Sequence, residues 1–519
     1  MARWERLQSR QTLASVAVVA TKVAPTFSAW RRVSVAFGAI RGKVNAKASR
    51  LGCVLPQRIP GPSVPFPSHP RYRRVSAHRL PSGVLLAAMV GVGLSGCATY
   101  KPLPLPTQAE SASSLSQLRG YAGTTLPLDS AEVARLVLLN NPDLRTAHAR
   151  HQAAQAQRRQ DSVLPNPVVG GSVGYLLSGP GDATAWTASI SQDIAALITL
   201  KPRREAARAA ADEVDAGLLW EQWQTLGKAQ LLVIGLVEGD RQIQLQQQAL
   251  DALKQREARI TQQVGKGNLE RLTVEPDLSA AADARAAMND LQRRRLDQQQ
   301  QLTALLGLKP DVVVPLAPLA RADLDAASIQ DEAGTISRRR PDMVALQLGY
   351  QAQDASLRAA VLAQFPPLSI GYDASQDNSR VRNGGPAVSF ALPIFDRNQG
   401  NIGVARATRE QLHQEYVTRL ATSRDDVDAL LAQYGQLHAQ WLALAPLTAD
   451  AVNAAARANT AWQGGLLDLR SYVDLDVAAI NRQIAMIALE QAMREQQAAL
   501  ELLVGRGMPS SLDQDVIAP

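Results

Sequence analysis

The architecture of this chain follows from two matched pairs of short segments. The first pair is VVGGSVGYLL (168–177) and AWTASISQD (185–193), and the second is LSIGYDASQ (368–376) and GPAVSFALP (385–393). In these segments Gly, Ser and Tyr alternate with aliphatic residues, which is the period-two pattern of a β-strand. The turn sequence SGPGDAT separates the first two segments. The sequence therefore predicts two β-hairpins that lie about 200 residues apart.

A long helical segment follows each pair of strands. Residues 202–264 and about 403–463 are rich in Ala and Gln, and residues 269–306 form a return helix. Glycine-containing breaks at 265–268 and 464–465 end the two long segments. A helix of some sixty residues spans about 90 Å at 1.5 Å per residue, far more than a globular helix. Each half of the chain is therefore predicted to contain a long α-helical hairpin.

The two halves repeat one plan. A helix with Asp129 as its N-cap and Glu132 in capping-box position precedes the first strands, and a second helix starts at Pro142. The segment 340–343 (RPDM) matches 141–144 (NPDL), and six such anchors recur in the same order at offsets between 197 and 201. The chain is therefore an internal duplication of the order helix, helix, strand, strand, long helix, turn, helix.

The basic excess of the chain is confined to its N-terminus. The formal net charge is +8, yet residues 1–79 carry 15 Lys and Arg against one acid, Glu5. The other 440 residues hold 40 basic and 46 acidic groups, a net charge of −6. The body of the protein therefore gives no reason to expect a nucleic-acid partner. With only 4% aromatic residues, the chain also lacks the composition of a typical compact enzyme and suits Ala/Leu helix packing.

Residues 80–97 resemble a bacterial lipoprotein signal. A basic stretch (71–79) precedes an uncharged, mostly apolar run, which ends in Leu-Ser-Gly-Cys. The resemblance implies cleavage before Cys97, a diacylglycerol on its thiol and, with Ala98 next, delivery to the outer membrane. The alternative is a short buried helix that happens to end in Cys. Because the signal begins so late, we expect the natural start near the arginines, with Val64 and Val75 as candidates.

These patterns divide the chain into six segments. They are a basic extension, a lipoprotein signal, a lipidated extended linker, two repeats and a C-terminal tail: 1–79, 80–96, 97–128, 129–320, 321–507 and 508–519.

Four strands cannot close a barrel, and an open sheet edge is not stable in lipid. Strands of nine to eleven residues are long enough to cross a bilayer when tilted. Three copies would supply twelve strands, an even number within the known range. We therefore expect a mainly α protein with a membrane β-barrel, in which a trimeric 12-stranded barrel is continued by a periplasmic α-helical barrel.

The chain resembles the TolC-like outer-membrane efflux proteins. The resemblance rests on LNNPDL (139–144), LPNP (164–167), RRPD (339–342), the duplicated strand pairs and LPIFDRNQGN (392–401). It implies a homotrimeric, non-enzymatic exit duct that works with a periplasmic adaptor (membrane-fusion protein) and an inner-membrane RND-type pump. The last segment looks most like the heavy-metal-efflux branch, which leaves metal cations and drugs as alternative cargoes. Asp396, Arg397 and Asn398 within it are most simply the start of a helix.

The resemblance also implies two kinds of site on the hairpins. A periplasmic gate is expected where carboxylates of three copies meet and where inter-chain links hold the pore shut; solvated helix charges are the alternative explanation. Adaptor docking is expected at the hairpin turns. The gate residues are Asp468, Arg470, Tyr472 and Asp474. The docking residues are Gly265, Gly267, Asn268, Leu269, Gly464, Gly465 and Leu466.

No cofactor is expected besides the covalent lipid on Cys97, and no metal site is expected. His148 and His151 stand three apart on a helix, but no third ligand is near them in sequence. No phosphate-binding loop or catalytic triad signature is present in the sequence. A lipid-anchored periplasmic coiled coil without a pore remains the competing interpretation, although it would not need the matched strand pairs.

Overall fold

The computed structural model describes residues 100–108, 110–123, 127–320 and 324–506. The chain forms two units, Met1–Leu103 and Pro104–Pro519. Of the first unit only residues 100–103 are described, without regular secondary structure. The predicted signal and Cys97 lie outside the described residues. Every helix and strand of the described residues belongs to the second unit.

The first half of this unit contains four α-helices and two strands, preceded by a short 3₁₀ helix at Leu115–Gln117. They are α1 (Ser130–Asn140), α2 (Pro142–Asp161), β1 (Val168–Gly174), β2 (Ala185–Asp193), α3 (Ala195–Gly265) and α4 (Arg271–Leu305). Asp129 caps α1, since its Oδ1 accepts the Glu132 N–H at 2.7 Å. The Glu132 carboxylate instead contacts Arg135, so only half of the expected capping box forms. Asn141 caps α2 by accepting the N–H groups of Asp143 and Leu144.

The second half repeats this order with one division. It contains α5 (Ala326–Ala333), α6 (Ile336–Arg339), α7 (Pro341–Leu362), β3 (Leu368–Gln376), β4 (Arg382–Phe390), α8 (Gln399–Gln463) and α9 (Leu469–Val504). The counterpart of α1 is divided into α5 and α6 around Gly334. Asp325 caps α5 through Ser328 N–H at 3.2 Å, at the position that matches Asp129.

Two hydrophobic cores lie where the short helices pack on the long hairpins. In the first half, Leu136 and Val137 of α1 pack with Val233 of α3, Leu302 of α4 and Leu306 just after α4. In the second half, Ile329, Met343, Leu430, Leu500 and Val504 form the matching cluster. These clusters consist of aliphatic residues and Met, as the low aromatic content predicts. Among the described residues, no helix combines the length and the apolar composition needed to cross a membrane.

The predicted mainly helical fold with a small antiparallel sheet is confirmed, while several element boundaries were wrong. Helix α3 begins at Ala195 and contains Pro202, the residue predicted to start it. Pro202 is the eighth residue of α3 and, because it has no N–H, cannot donate the hydrogen bond to the carbonyl four residues earlier. Strand β4 begins at Arg382 rather than 385, because the Asp377 carboxylate closes a tight turn onto the N–H groups of Ser379 and Val381.

Other boundaries also differ from the predicted ones, among them the end of β4 at Phe390 rather than 393. Strand β1 ends at Gly174 rather than 177. Helix α4 covers Arg271–Leu305 rather than 269–306. Helix α8 begins at Gln399 rather than 403.

Candidate functional site

The four strands form one antiparallel sheet in the order β1-β2-β3-β4. The two predicted hairpins are joined by pairing of β2 with β3, where Ile190 lies opposite Tyr372 and Ser189 opposite Asp373. Strands β1 and β4 each have a single neighbour in this sheet. Pro386, which cannot donate to a ladder, lies on edge strand β4, where proline is tolerated. In a single copy of the chain, the outer edges of β1 and β4 are therefore without a neighbouring strand.

One face of the sheet is apolar. The register places Val169, Ile190 and Tyr372 in one row across three strands, and Ile370 and Val388 in a neighbouring row. The exposed fractions are 76% for Val169, 50% for Ile190 and 63% for Val388. Val173, Trp186, Leu368 and Phe390 lie on the same face, since opposite residues in an antiparallel pair point the same way. This face is an exposed apolar surface that a monomer in water would not leave uncovered.

The other face carries small and polar side chains. Its single large aliphatic residue in the four strands is Val168. Ser172 and Thr187 are hydrogen-bonded across the β1–β2 pair at 2.8 Å. The remaining polar members are Ser189, Ser191, Asp193, Ser369, Asp373, Ser375, Asn383 and Ser389. Apolar-out and polar-in alternation of this kind is the pattern of a transmembrane barrel strand.

The turns at the far ends of the two helical hairpins share one geometry. Gly267 and Gly465 have positive φ values of 76° and 73°. In the first turn the N–H of Asn268 bonds Gln263 O at 3.0 Å, and in the second that of Leu466 bonds Ala461 O at 2.8 Å. Both helices thus end in a Schellman motif, for which glycine is favoured because the left-handed conformation strains other residues.

The structure places all seven predicted docking residues at these turns. Gly265 is the last residue of α3, Gly267 and Leu269 lie between α3 and α4, and Gly464 and Leu466 lie between α8 and α9. Leu466 is 86% exposed, and Leu272, in the first turn of α4, is 78% exposed. Exposed leucines at a hairpin end are available for packing against a second protein. Asn268 is held in place by its side chain, whose Nδ2 donates to Gln263 Oε1 at 2.7 Å.

Two predicted gate residues belong to an ion-pair network between the hairpins. Arg256 of α3 is only 3% exposed. Its Nη1 lies 2.5 Å from Asp474 Oδ1 of α9, and its Nη2 lies 3.3 Å from Asp277 Oδ1 of α4. Arg470 of α9 also contacts Asp277 Oδ1, at 3.3 Å. We call these four residues the seam. It joins the first hairpin to the second about ten residues from their turns.

The apolar packing beneath the seam involves the same helices. Leu253 of α3, Ala281 of α4 and Val473 of α9 form a small buried cluster. Tyr472 packs against this cluster and stacks on Trp462 of α8, with ring centroids 4.9 Å apart. The predicted gate tyrosine is therefore held within one chain by an aromatic contact.

The remaining gate candidate, Asp468, caps helix α9. Its Oδ1 accepts the Ser471 N–H at 3.0 Å and its Oδ2 the Ser471 hydroxyl at 2.7 Å, and these hydrogen bonds lower its pKa. Burial raises the pKa of Asp476, and burial followed by the charge of Asp476 raises that of Tyr472. Asp468 is therefore held as a charged cap at the end of the hairpin.

Sequence reasoning missed Arg256 and the buried position of Asp277. Asp277 and Asp474 lie 197 residues apart, within the offsets of the repeat, and both contact this one arginine. The two turns align Gly267 with Gly465, an offset of 198 residues, which places Ala454 at the repeat position of Arg256. The sequence therefore contained one signal for Arg256: an arginine stands in one half at a position that is alanine in the other.

Other sequence candidates take structural roles. His151 Nδ1 lies 2.5 Å from Asp215 Oδ1, and burial followed by the neighbouring His151 lowers the pKa of His148. Within the part of the chain that the structure describes, no group of three or more His, Cys, Asp or Glu side chains could hold a metal ion. Asn398 precedes α8 in a left-handed conformation, but its side chain donates to Ala360 O instead of capping the helix. The cap expected from Asn398 was therefore wrong.

Comparison with known proteins agrees with this architecture. The family model described as outer membrane efflux protein matches residues 133–308. Outer membrane protein OprJ of Pseudomonas aeruginosa is 27% identical over 462 residues, with 79% of this chain and 92% of OprJ covered.

Two solved structures resemble the chain in fold. A membrane protein from Pseudomonas aeruginosa gives a TM-score of 0.61 at 21% identity, covering 80% of this chain and 99% of its own. The Campylobacter jejuni CmeC outer membrane channel also gives 0.61, at 15% identity, covering 81% and 98%.

The duplicated hairpins and the two-faced sheet thus have the fold of outer-membrane channel proteins. The matched family model and the relative OprJ support the resemblance to the TolC-like outer-membrane efflux proteins that the sequence motifs indicate. The proteins of that family are efflux ducts of tripartite pumps and not enzymes.

Proposed function

We propose that three copies of this chain form a passive exit duct of a tripartite efflux pump in the outer membrane. The observation that carries the proposal is the two-faced sheet with its open edges. Joining β1 of one copy to β4 of the next would satisfy both edges and give twelve strands. The apolar face, with Val169, Ile190 and Val388, would then contact lipid, and the serine-rich face would line an aqueous pore.

The helical hairpins extend this duct into the periplasm. Helix α3 has 71 residues, which at 1.5 Å per residue is a length of about 105 Å. The turns with Leu466 and Leu272 are the docking points for a periplasmic adaptor, because exposed leucines there can be buried against a partner. Energy comes from an RND-type pump in the inner membrane.

The seam is the part of the duct that would control opening. Moving α9 away from α3 and α4 breaks the contacts of Arg256 and Arg470 across the hairpins. The Nε of Arg256 is buried without a hydrogen-bond partner, and such an unmet donor typically costs about 1–3 kcal/mol. The closed arrangement is therefore held by charge pairs that are incompletely satisfied.

We predict that Asp474→Asn changes ion conduction. Asp474 is 62% exposed although it contacts Arg256, so three copies would place three carboxylates near the narrow end of the pore. Removing them should lower the cation-to-anion permeability ratio by roughly twofold or more. Reversal potentials in a salt gradient measure this ratio. Asp425→Asn on α8, which has no ion pair among the described residues and lies outside the seam, is the control. An unchanged ratio would remove Asp474 from the gate.

Cys97 carries the lipid anchor in this proposal. We predict that Cys97→Ser abolishes the incorporation of radiolabelled palmitate but leaves the trimer intact, because barrel closure does not depend on the acyl chains. Metabolic labelling followed by an unheated gel measures both properties. A wild-type chain without label would contradict the anchor.

The cargo is proposed to be metal cations or organic drugs. Deletion of the gene followed by growth on graded metals and drugs separates the two. Increased metal sensitivity alone supports the heavy-metal-efflux assignment, and drug sensitivity alone contradicts it.

The proposed duct is tested by purification in detergent and reconstitution into liposomes. The expected result is a trimer that dissociates only on heating and that makes the liposomes permeable to small solutes. A detergent monomer in impermeable liposomes would contradict the duct and favour the periplasmic coiled coil.

A further inference from the structure

A groove between α3 and α7 is lined by several basic and acidic side chains. It has a volume of about 590 Å³ and lies just past the strands, with Leu197 and Leu200 at its sheet end. Lys201, Arg204 and Arg208 line it from α3. We call it the α3–α7 groove. These three cations fall on one helical face, since they are spaced three and four residues apart.

The acidic side chains of the groove are already paired. Glu205 contacts Arg358 at 3.3 Å, and Asp354 contacts Arg358 at 3.4 Å and Arg409 at 2.9 Å. Asp212 contacts Arg158 of α2 at 3.8 Å. The groove cations on α3 therefore have no carboxylate within ion-pair distance among the described residues.

One of these cations is fixed in place. Arg204 Nε donates to the backbone oxygen of Ser162 at 2.7 Å, which leaves the two terminal nitrogens of its guanidinium for another acceptor. Lys201 and Arg208 are exposed. A phosphate oxygen is the acceptor that best matches a fixed guanidinium beside an ammonium group.

The groove lies at the height of a lipid headgroup. Lys201 is six residues past the first residue of α3, a rise of about 9 Å. A headgroup layer is about 5–8 Å thick, and Lys and Arg side chains extend toward it. Exposed apolar side chains lie on the sheet side of Lys201. Leu197 is 45% exposed, Ile198 is 47% exposed and Phe395, just past β4, is 92% exposed.

We propose that the α3–α7 groove binds the phosphate headgroup of an anionic phospholipid in the leaflet that faces the helical hairpins. Lys201 and Arg204 contact the phosphate, and Arg208 attracts it from below. The acyl chains lie against Leu197 and Ile198. The placement of the leaflet rests on the proposed membrane orientation of the sheet. A bound lipid would fix the height of each copy in the membrane.

Native mass spectrometry of the full chain in detergent tests the site. The probes are dimyristoyl-phosphatidylglycerol, the matching phosphatidylcholine and inorganic phosphate. Lys201→Gln is expected to weaken phosphatidylglycerol binding about fivefold, and the triple variant with Arg204→Gln and Arg208→Gln about a hundredfold. Arg406→Gln is the matched control, because Arg406 is exposed at a similar distance past the sheet on α8 and has no ion pair among the described residues.

Three results would overturn the lipid site. They are equal phosphatidylglycerol binding by the wild type and the triple variant, equal binding of the two lipids by the wild type, and full displacement by inorganic phosphate at the lipid's concentration. Melting of the lipid-free triple variant within a few degrees of the wild type confirms that it is folded. A wild type that binds lipid through these residues but forms neither trimer nor pore would refute the duct and leave the lipid site standing.

Discussion

Ile190→Lys is expected to prevent the protein from accumulating as a trimer in the outer membrane. Ile190 lies in the middle of the apolar face, between Val169 and Tyr372 on the neighbouring strands. A lysine facing lipid near the bilayer midplane costs about 2–4 kcal/mol, and each of three copies would bear that cost. Membrane fractionation and unheated gels measure the loss.

Ser189→Lys is the matched control, one residue away on the opposite face. Ser189 lies opposite Gly170 and Asp373, so the new ammonium group would point into the proposed pore beside a carboxylate. This variant should insert normally and make the pore less cation-selective. Equal accumulation of the two variants, or a larger loss for Ser189→Lys, would contradict the assignment of the faces.

Arg256→Gln is expected to weaken the closed state of the helical end. The substitution leaves Asp277 buried, with Arg470 as its remaining ion-pair partner. Breaking a buried ion pair costs about 3–5 kcal/mol, whereas the contact with the exposed Asp474 contributes less because solvent screens it. The variant trimer should therefore conduct more than the wild type and melt at a lower temperature. Planar-bilayer recordings and thermal unfolding measure the two effects.

Two further variants separate gating from a general loss of packing. Arg259→Gln removes an exposed cation one turn away, which lies 6.0 Å from the Trp462 ring, and should leave conductance unchanged. The double variant Arg256→Gln/Asp277→Asn removes both buried charges and should recover part of the lost stability while remaining more conductive than the wild type. A conductance of Arg256→Gln equal to that of the wild type would exclude the seam from gating.

Much of the fold could be predicted because the two halves of the chain show the same sequence pattern, so that each assignment in one half supports the matching assignment in the other. The strand 368–376 was predicted with its observed bounds, and Asp129 was predicted as a cap from local pattern alone. The pairing of β2 with β3 was harder to predict, since it joins residues that are 176 to 190 positions apart. The two long helices were predicted to start too late, at Pro202 and about Gly403 instead of Ala195 and Gln399, because long-range packing outweighs local propensity over a few residues.

The candidate sites likewise contain residues that could be predicted from the sequence and residues that could not. Turn residues such as Gly267 and Gly465 are visible in sequence because a left-handed turn favours glycine. The role of Arg256 was not visible, because its two partners come from α4 and α9 and meet it only after both hairpins have packed. The sheet faces were visible only in part, since the alternation identifies strands but not which of them are neighbours.

The central claim, a pore formed by several copies of the chain, is tested most directly by single-channel recording of the purified protein in planar bilayers. We expect a trimer that gives discrete, cation-selective openings, small in the wild type and larger in Arg256→Gln. A monomer that gives no openings in either form would contradict the claim.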